Sequence, residues 1–126
     1  MYARIGGRAP DMLKKLAALQ EELGRPKDAA ATLEKLNYIY PVNDEELHRK
    51  LGGLWFGLGD FRRAAREYRA VVASKPIDKA AAHYNLARAY WSLKDTGNTE
   101  EQLLEALEAA PGFRPAQKLQ IGRAHV

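Results

Sequence analysis

The sequence predicts an all-α solenoid in which pairs of antiparallel helices stack along the chain. Alanine and leucine dominate the 126 residues while β-branched residues are few, and this usage favours helix. The chain also repeats itself with an offset of 35 residues, and within each repeat apolar residues recur at helical spacing. A helical hairpin of this length cannot bury its apolar face alone, so stacked copies must share a core.

Composition excludes several other classes of protein. Apolar residues make up 46% and charged residues 29% of the chain, a mixture typical of a folded domain rather than a disordered one. No apolar run approaches the roughly 20 residues that a membrane-spanning helix needs. The absence of cysteine excludes disulfide frameworks, thiol nucleophiles and cysteine-ligated metal sites.

The charges form adjacent blocks of opposite sign. The formal net charge is +4, and residues 45–79 hold eight basic and five acidic residues, whereas residues 80–113 hold two and five. A nucleic-acid-binding protein usually shows one coherent basic face. Mutual neutralisation of the two blocks is the simpler interpretation, and we expect no nucleic-acid partner.

Three segments define the repeat, at residues 10–44, 45–79 and 80–113. Each is expected to form two helices, with a turn between them and a proline near the end. The positions that coincide at the 35-residue offset are Leu16, Leu51 and Leu86; Ala29, Ala64 and Thr99; Leu33, Tyr68 and Leu103; and Pro41, Pro76 and Pro111.

Local signals place the ends of the helices. Pro26 suits the first turn of the second helix of unit 1, where its missing N–H is harmless. Asn43 followed by Glu46 predicts a capping box before the first helix of unit 2. In unit 3, Asn98 or Thr99 is the expected cap of the second helix, which would place the next two glutamates, Glu100 and Glu101, in its first turn.

The two ends lie outside the three units. Residues 1–9 show no helical period, so we expect a linker or a disordered segment there. Residues 114–120 resemble the opening of a capping helix with Ala116 and Leu119 on its apolar side. Residues 121–126 are what a common short-read sequencing adapter would encode, and we expect them to be a non-native tail on a metagenomic fragment.

At these positions the chain resembles the tetratricopeptide repeat, a unit of about 34 residues with small and aromatic residues at fixed places. Unit 3 has Lys94-Asp95-Thr96 at the usual Gly-Asp-aromatic turn, and unit 1 has Gln20 at the aromatic position; the resemblance covers about four-fifths of the chain. Unit 2 carries the motif most fully, in Leu51-Gly52, Trp55, Gly59-Asp60-Phe61, Ala64, Tyr68, Val71 and Pro76.

The resemblance implies a right-handed superhelix whose concave groove is lined by the first helices and binds peptides or partner proteins. One subclass of the family grips the carboxylates of a chaperone tail, but here Ala18 and Lys50 stand where asparagines are required. Starting that clamp one unit later leaves Gly53 as the wrong residue. By position, the expected groove residues are Lys14, Arg49, Gly53, Phe56, Tyr84, Asn85, Arg88 and Trp91.

These guanidinium and aromatic groups would suit a peptide with an acidic group flanked by apolar side chains. Two alternatives remain open at this stage: Phe56 and Trp91 simply pack between neighbouring first helices, and Gly53 is merely tolerated in its helix. We expect no catalytic residue, cofactor or metal. His48 and His83 lie one full repeat apart, too far along the chain for the paired spacing of a zinc helix.

The predicted function is therefore non-catalytic binding of a protein or peptide by a scaffold of bacterial type. One alternative is an appendage that serves the assembly of a larger bacterial enzyme, such as a peptidase or transferase. Another is a homo-oligomerisation module, because uncapped repeat ends expose apolar surface. The sequence leaves open whether the compartment is cytoplasmic or periplasmic.

Overall fold

The structure, a computed structural model, describes the backbone of residues 2–40 and 44–124 and the side chains of residues 10–40 and 44–120. Each helix packs against the next along the chain, so that successive antiparallel pairs stack. The all-α solenoid predicted from the sequence is confirmed. The described part contains α1 (Tyr2–Glu22), α2 (Pro26–Ile39), α3 (Glu45–Gly57), α4 (Phe61–Ala73), α5 (Lys79–Ser92), α6 (Thr96–Ala109) and α7 (Arg114–Ala124).

Small residues lie where the two helices of a pair cross. Gly52 on α3 and Ala64 on α4 are both buried, and a Cβ atom on Gly52 would lie 2.6 Å from Cε1 of Tyr68. Such a contact is too close for carbon atoms, so the Tyr68 ring occupies the space that a larger residue would need. Units 1 and 3 place Ala17 and Ala87 at the position of Gly52, and both are also fully buried.

Aspartate caps four consecutive helices. The side chains of Asp44 and Asp60 accept hydrogen bonds from the N–H groups of Leu47 and Arg63 at 3.1 Å, and Asp78 and Asp95 cap α5 and α6 in the same way. This arrangement satisfies N–H groups that have no partner within the helix. The predicted capping box at Asn43 is wrong, because Asp44 is the cap; Asn43 itself lies outside the described residues.

The second helix of unit 3 begins one turn earlier than the sequence predicted. Lys94 adopts a φ of 62°, close to the 73° and 82° of Gly24 and Gly59 in the other two turns. The backbone turn is therefore repeated without glycine, and it brings Asp95 into the capping position. Asn98 and Thr99 are not caps, and the first turn of α6 contains no acidic residue, so the expectation for the two glutamates was also wrong.

The first helix extends beyond the predicted boundary at residue 10. The backbone of residues 2–9 belongs to α1, with Pro10 inside the helix, where a linker was expected. An apolar period reveals only helices that bury one face, so a helix without that period escapes the pattern. At the other end α7 spans Arg114–Ala124 and so continues beyond residue 120. None of the described helices is long and apolar enough to cross a membrane.

A polar network joins units 1 and 2. Glu34 Oε1 accepts hydrogen bonds from Trp55 Nε1, at 3.0 Å, and from Arg66. Arg66 Nε also donates to Glu67 Oε2 at 2.8 Å, and Glu67 Oε1 lies 2.9 Å from Nδ1 of His48. The Glu67 side chain is only 4% exposed. The network thus connects α2 to α3 and α4 through Glu34, and α3 to α4 through the buried carboxylate of Glu67.

The histidine of this network has a counterpart one repeat later. His83 Nδ1 lies 2.7 Å from Oε1 of Gln102, at positions equivalent to His48 and Glu67. The contact between first and second helix is kept, but a neutral amide replaces the carboxylate. Arg63 and Arg66 form their ion pairs with carboxylates of units 1 and 2, so the basic block of unit 2 is neutralised in part by its own unit and the preceding one.

Candidate functional site

The first helices α1, α3 and α5 form one layer, here called the first-helix face. Lys14 Nζ on α1 lies 3.1 Å from Oδ2 of Asp44, the cap of α3. The Arg88 guanidinium on α5 lies 4.3 Å from the ring centroid of Phe56 on α3. These contacts place the three helices side by side in chain order.

Three of the cations on this face are paired with carboxylates. Besides Lys14 with Asp44, Lys50 Nζ lies 3.1 Å from Glu21 Oε2, and Arg49 donates to Glu45 Oε2 at 2.8 Å. All three pairs are partly exposed, so each contributes little to stability. These ion pairs neutralise the three cations with carboxylates of the same chain.

Asp44 combines a capping role with one of these ion pairs. Burial raises the pKa of its carboxyl, but the hydrogen bond from the Leu47 N–H and the charge and hydrogen bond of Lys14 lower it by more. The net pKa lies below its ordinary value, so the folded chain favours the ionised carboxylate. Asp44 therefore ties α1 to the first turn of α3.

Arg88 differs from the other cations of the face. Its guanidinium lies over the rings of Phe56, at 4.3 Å, and Tyr84, at 5.7 Å, and it pairs with no carboxylate of the described residues. Edge-to-face contacts extend the aromatic surface from Phe56 to Phe61, at 5.0 Å, and from Tyr84 to Phe113, at 5.6 Å. A half-buried guanidinium between aromatic faces can bind an anionic group, to which its N–H groups donate hydrogen bonds.

A cleft of about 310 Å³ opens between α3 and α5. We call it the α3–α5 cleft. Its floor is formed by Tyr68 of α4, and its rim includes Arg49 and Asn85 from the two first helices. The volume is at the lower end of the range for small-ligand pockets, about 300 to 1,000 Å³, and so suits one side chain better than a folded element.

The floor of this cleft carries a phenol without a hydrogen-bond partner. Tyr68 is 5% exposed, and its Oη would lie 3.9 Å from a Cβ atom on Gly53. Burial raises the pKa of Tyr68 although the charge of Arg88 lowers it, so the net pKa is raised and the group stays a neutral donor. No described residue lies within hydrogen-bond distance of the Tyr68 hydroxyl.

The structure brings six of the eight predicted groove residues to one region. Three of them, Phe56, Tyr84 and Arg88, are in contact around the Arg88 guanidinium. The other three, Arg49, Gly53 and Asn85, lie at or beside the α3–α5 cleft.

The other two predicted residues are not part of this region. Lys14 lies on α1 and is engaged with Asp44. Trp91 is half-buried near the end of α5 and makes no ring contact with a described residue. Six of the predicted groove residues therefore lie between units 2 and 3, and their role in binding stays a prediction.

Sequence reasoning missed two contributors, Tyr68 and Phe113. The repeat pattern assigns Tyr68 to packing alone, although it is the one polar member of a set whose other members are Leu33 and Leu103. That difference was the available signal. Phe113 precedes α7, and only the packing of α7 onto α6 brings its ring to Tyr84.

Comparison with known proteins agrees with this architecture. Residues 55–116 match the family model of the tetratricopeptide repeat. No curated protein sequence matches the chain.

Solved structures match over most of the chain. One is YrrB, described as a TPR protein with an unusual peptide-binding site: TM-score 0.74, 23% identity, 88% of this chain and 56% of that one. Another is MamA from Desulfovibrio magneticus RS-1, with a TM-score of 0.71 and 24% identity; the match covers 81% of this chain and 56% of the MamA chain.

A third is the first TPR of Spaghetti (RPAP3), bound to the HSP90 peptide SRMEEVD: TM-score 0.73, 19% identity, and 91% of each chain. The chain thus spans a little over half the length of the YrrB and MamA chains. At these identities the likeness establishes the fold. Residues 55–116 match the tetratricopeptide repeat, and the chain as a whole has the fold of a tetratricopeptide repeat protein.

Proposed function

We propose that the chain is a non-catalytic scaffold that binds a protein or peptide along the first-helix face, the concave groove of the solenoid. The ligand carries an acidic group that binds Arg88, with apolar side chains on either side of it. Tetratricopeptide repeats generally bind proteins or peptides and are typically non-catalytic. YrrB and the Spaghetti domain, which share this fold, are both described as peptide-binding.

The observation that carries the proposal is the difference between Arg88 and the other cations of the face. Lys14, Lys50 and Arg49 each hold a carboxylate of the chain, whereas Arg88 is flanked by Phe56 and Tyr84. Aromatic rings do not saturate the five N–H donors of a guanidinium. A carboxylate of the ligand would supply the missing acceptors while its apolar neighbours cover the rings.

A random peptide library displayed on phage tests this proposal. The wild-type chain should enrich peptides in which Asp or Glu is flanked by apolar residues, and Arg88→Ala should lose that enrichment. Arg49→Ala is the matched control, because Arg49 is engaged with Glu45, and its selection should remain acidic. Equal enrichment of acidic peptides by wild type and Arg88→Ala would overturn the proposal.

Self-association is the second candidate, and one exposed surface favours it. Leu16 on α1 is 44% exposed, whereas Leu51 and Leu86 at the same repeat position are buried. Met12 and Leu19 of α1 extend this exposed stripe, and Leu23 in the turn after α1 is exposed as well. In units 2 and 3 the preceding unit covers this position, and a second copy would cover it in unit 1.

Sedimentation velocity separates the two candidates. Under the second one, wild type associates with increasing concentration, and Leu16→Lys with Leu19→Lys returns it to a monomer. Charge reversal on the other face, Arg49→Glu or Arg88→Glu, should leave association unchanged. Under the proposed function Arg88→Glu instead abolishes peptide binding, and Arg49→Glu weakens it less.

A further inference from the structure

The α3–α5 cleft has a counterpart one repeat earlier that is nearly closed. The space between α1 and α3 measures about 70 Å³, against about 310 Å³ between α3 and α5. Both spaces are lined at the same repeat positions. The earlier one has Lys14, Leu33, Glu46, Leu47 and Lys50, and the later one has Arg49, Tyr68, Ala81, Ala82 and Asn85.

Two alanines contribute to the difference in volume. Ala81 and Ala82 replace Glu46 and Leu47, so the later cleft lacks two side chains that fill the earlier one. The backbone before the two first helices also differs, since Lys75 has a φ of 56° and its equivalent Tyr40 a φ of −124°. The larger cleft is available for a side chain of similar size to those that are missing.

The floor of the cleft favours a polar occupant. Tyr68 is 5% exposed as a whole residue, but its hydroxyl is open to water through the cleft and has no hydrogen-bond partner within the described part of the chain. An occupant that displaces this water without replacing its hydrogen bond loses affinity. A purely apolar side chain would leave that donor unsatisfied.

The rim of the cleft disfavours a charged occupant. Glu45 and Asp78 place two carboxylates there, while the guanidinium of Arg49 is bound to Glu45 and the carboxylate of Asp78 caps α5. A ligand carboxylate would therefore be repelled by the carboxylates of Glu45 and Asp78, because the nearby Arg49 is already paired with Glu45. A ligand cation would approach Arg49 at the rim and Arg88 beside Tyr68.

We propose that the α3–α5 cleft binds one uncharged amide side chain, glutamine or asparagine, of a peptide held in the groove. The Tyr68 hydroxyl donates to the amide oxygen, and the amide of Asn85 offers both a donor and an acceptor at the rim. Ala81 and Ala82 make room for the aliphatic stem. This inference rests on the proposed function, and it adds a second position of recognition beside the acidic one at Arg88.

Blocked single amino acids test the cleft without a complete ligand. The ¹⁵N-labelled chain is titrated with the N-acetyl, N-methylamide derivatives of glutamine, glutamate, leucine and lysine, and NMR shifts are followed at Ala81, Ala82 and Asn85. We expect the glutamine probe to shift these signals and to bind about threefold to tenfold more tightly than the other three, the effect of one net hydrogen bond.

Two substitutions assign the effect to the cleft. Tyr68→Phe keeps the ring and removes the hydroxyl, and it should weaken the glutamine probe by a similar factor, whereas Tyr38→Phe at an 88% exposed position should not. Ala82→Leu should abolish binding by filling the cleft. Because Leu47 already occupies the same position in unit 2, the fold accommodates leucine there.

The outcomes separate this inference from the proposed function. Preference for the leucine or glutamate probe, an unchanged affinity in Tyr68→Phe, or no shift with any probe up to its solubility limit would overturn the amide site. Arg88→Ala should leave the glutamine probe bound while it loses the acidic library peptides. If the amide probe fails and Arg88 still selects acidic peptides, only the further inference is wrong.

Discussion

The two joints between repeats differ in backbone and in chemistry. Lys75 has a φ of 56° before α5, whereas its equivalent Tyr40 has a φ of −124° before α3. In the joint between units 1 and 2, Glu34 binds Trp55 and Arg66 of unit 2, and Glu67 binds Arg66 and His48 within unit 2. The cations of the first-helix face are paired there, and the cleft is nearly closed. The cations of this joint are paired with carboxylates of the chain.

The joint between units 2 and 3 leaves polar groups available. The α3–α5 cleft is open and Arg88 faces aromatic rings. Within unit 3, Gln102 stands at the position of the buried carboxylate and contacts His83. The Tyr68 hydroxyl adds a donor at the cleft floor. The comparison teaches that equivalent positions of two repeats can pair their polar groups in one joint and leave them available in the next, which is where we propose that a ligand binds.

The largest expected effect comes from breaking the network of the first joint. Glu67→Ala leaves His48 and Arg66 without their shared carboxylate and should lower the free energy of unfolding by about 2–3 kcal/mol. Glu67→Gln copies the pairing of His83 with Gln102 and should cost about 1 kcal/mol or less. Urea unfolding measures both, with the exposed Glu105→Ala as the control.

Equal losses for Glu67→Ala and Glu67→Gln would contradict this comparison. That result would mean that the charge of Glu67, rather than its hydrogen bonds, stabilises the first joint. The two joints would then differ in mechanism and not only in strength.

The second effect concerns the close approach of Gly52 to Tyr68. Gly52→Ala should destabilise the chain by about 1–2 kcal/mol, because the ring must shift in a packed core, although alanine favours helix. Adding Tyr68→Leu recreates the alanine–leucine combination of units 1 and 3, so the double variant should recover most of the loss. Thermal unfolding of the four chains of this cycle gives the coupling.

A matched glycine provides the control for that cycle. Gly57 is in the same helix, and a Cβ atom added there would have no neighbour within 4 Å, so Gly57→Ala should stabilise by about 0.5–1 kcal/mol. Additive losses for Gly52→Ala and Tyr68→Leu would show that the two residues do not compete for space. The difference between the units at this position would then have no packing cause.

A smaller gain is expected in the turn of unit 3. Lys94 adopts the left-handed conformation that glycine adopts in units 1 and 2, and this costs a residue with a Cβ about 1 kcal/mol. Lys94→Gly should therefore raise the free energy of unfolding by about 0.5–1 kcal/mol, less than the full strain because glycine also gains freedom in the unfolded chain. Gly59→Lys is the reverse test and should destabilise by a similar amount.

The smallest effect is the pH dependence of the first joint. The pKa of Asp44 is lowered in the folded chain, so its stabilising contribution is present above the unfolded value of about 3.9. It is lost as the pH falls through the lower folded-state pKa. Asp44→Asn should flatten the fall of the urea midpoint between neutral and acidic pH, and Lys14→Met should flatten it in part. An unchanged slope in both variants would contradict the contribution of this pair.

The sequence predicted the fold well where local signals and repetition act together. Apolar spacing, prolines and the recurring small residues were enough for three helix pairs and a following helix. They were not enough for the start of α6, because the pattern gave no sign that Lys94 would adopt a glycine conformation. The helical backbone at residues 2–9 also lacked an apolar period to reveal it.

The candidate site was predicted in its outline only. Repeat positions selected Arg49, Asn85 and Arg88, but position alone could not tell which cations the chain itself would pair. Pairing depends on distances between side chains. Arg49 lies close to the carboxylate of Glu45 in its own helix, whereas Arg88 lies over the ring of Phe56 in the preceding unit. Competition among side chains for partners is a property of the packed structure.

The sequence by itself determined the helices, their order and the positions that repeat, because hydrogen bonds and apolar periodicity act over a few neighbouring residues. Only the tertiary structure decided which joint is closed and which is open. Leu33 and Tyr68 occupy one repeat position, yet the space above each depends on side chains from the next unit, at Leu47 and Ala82. The volume of a cleft is set by residues that the fold brings together from separate helices, so no single stretch of sequence specifies it.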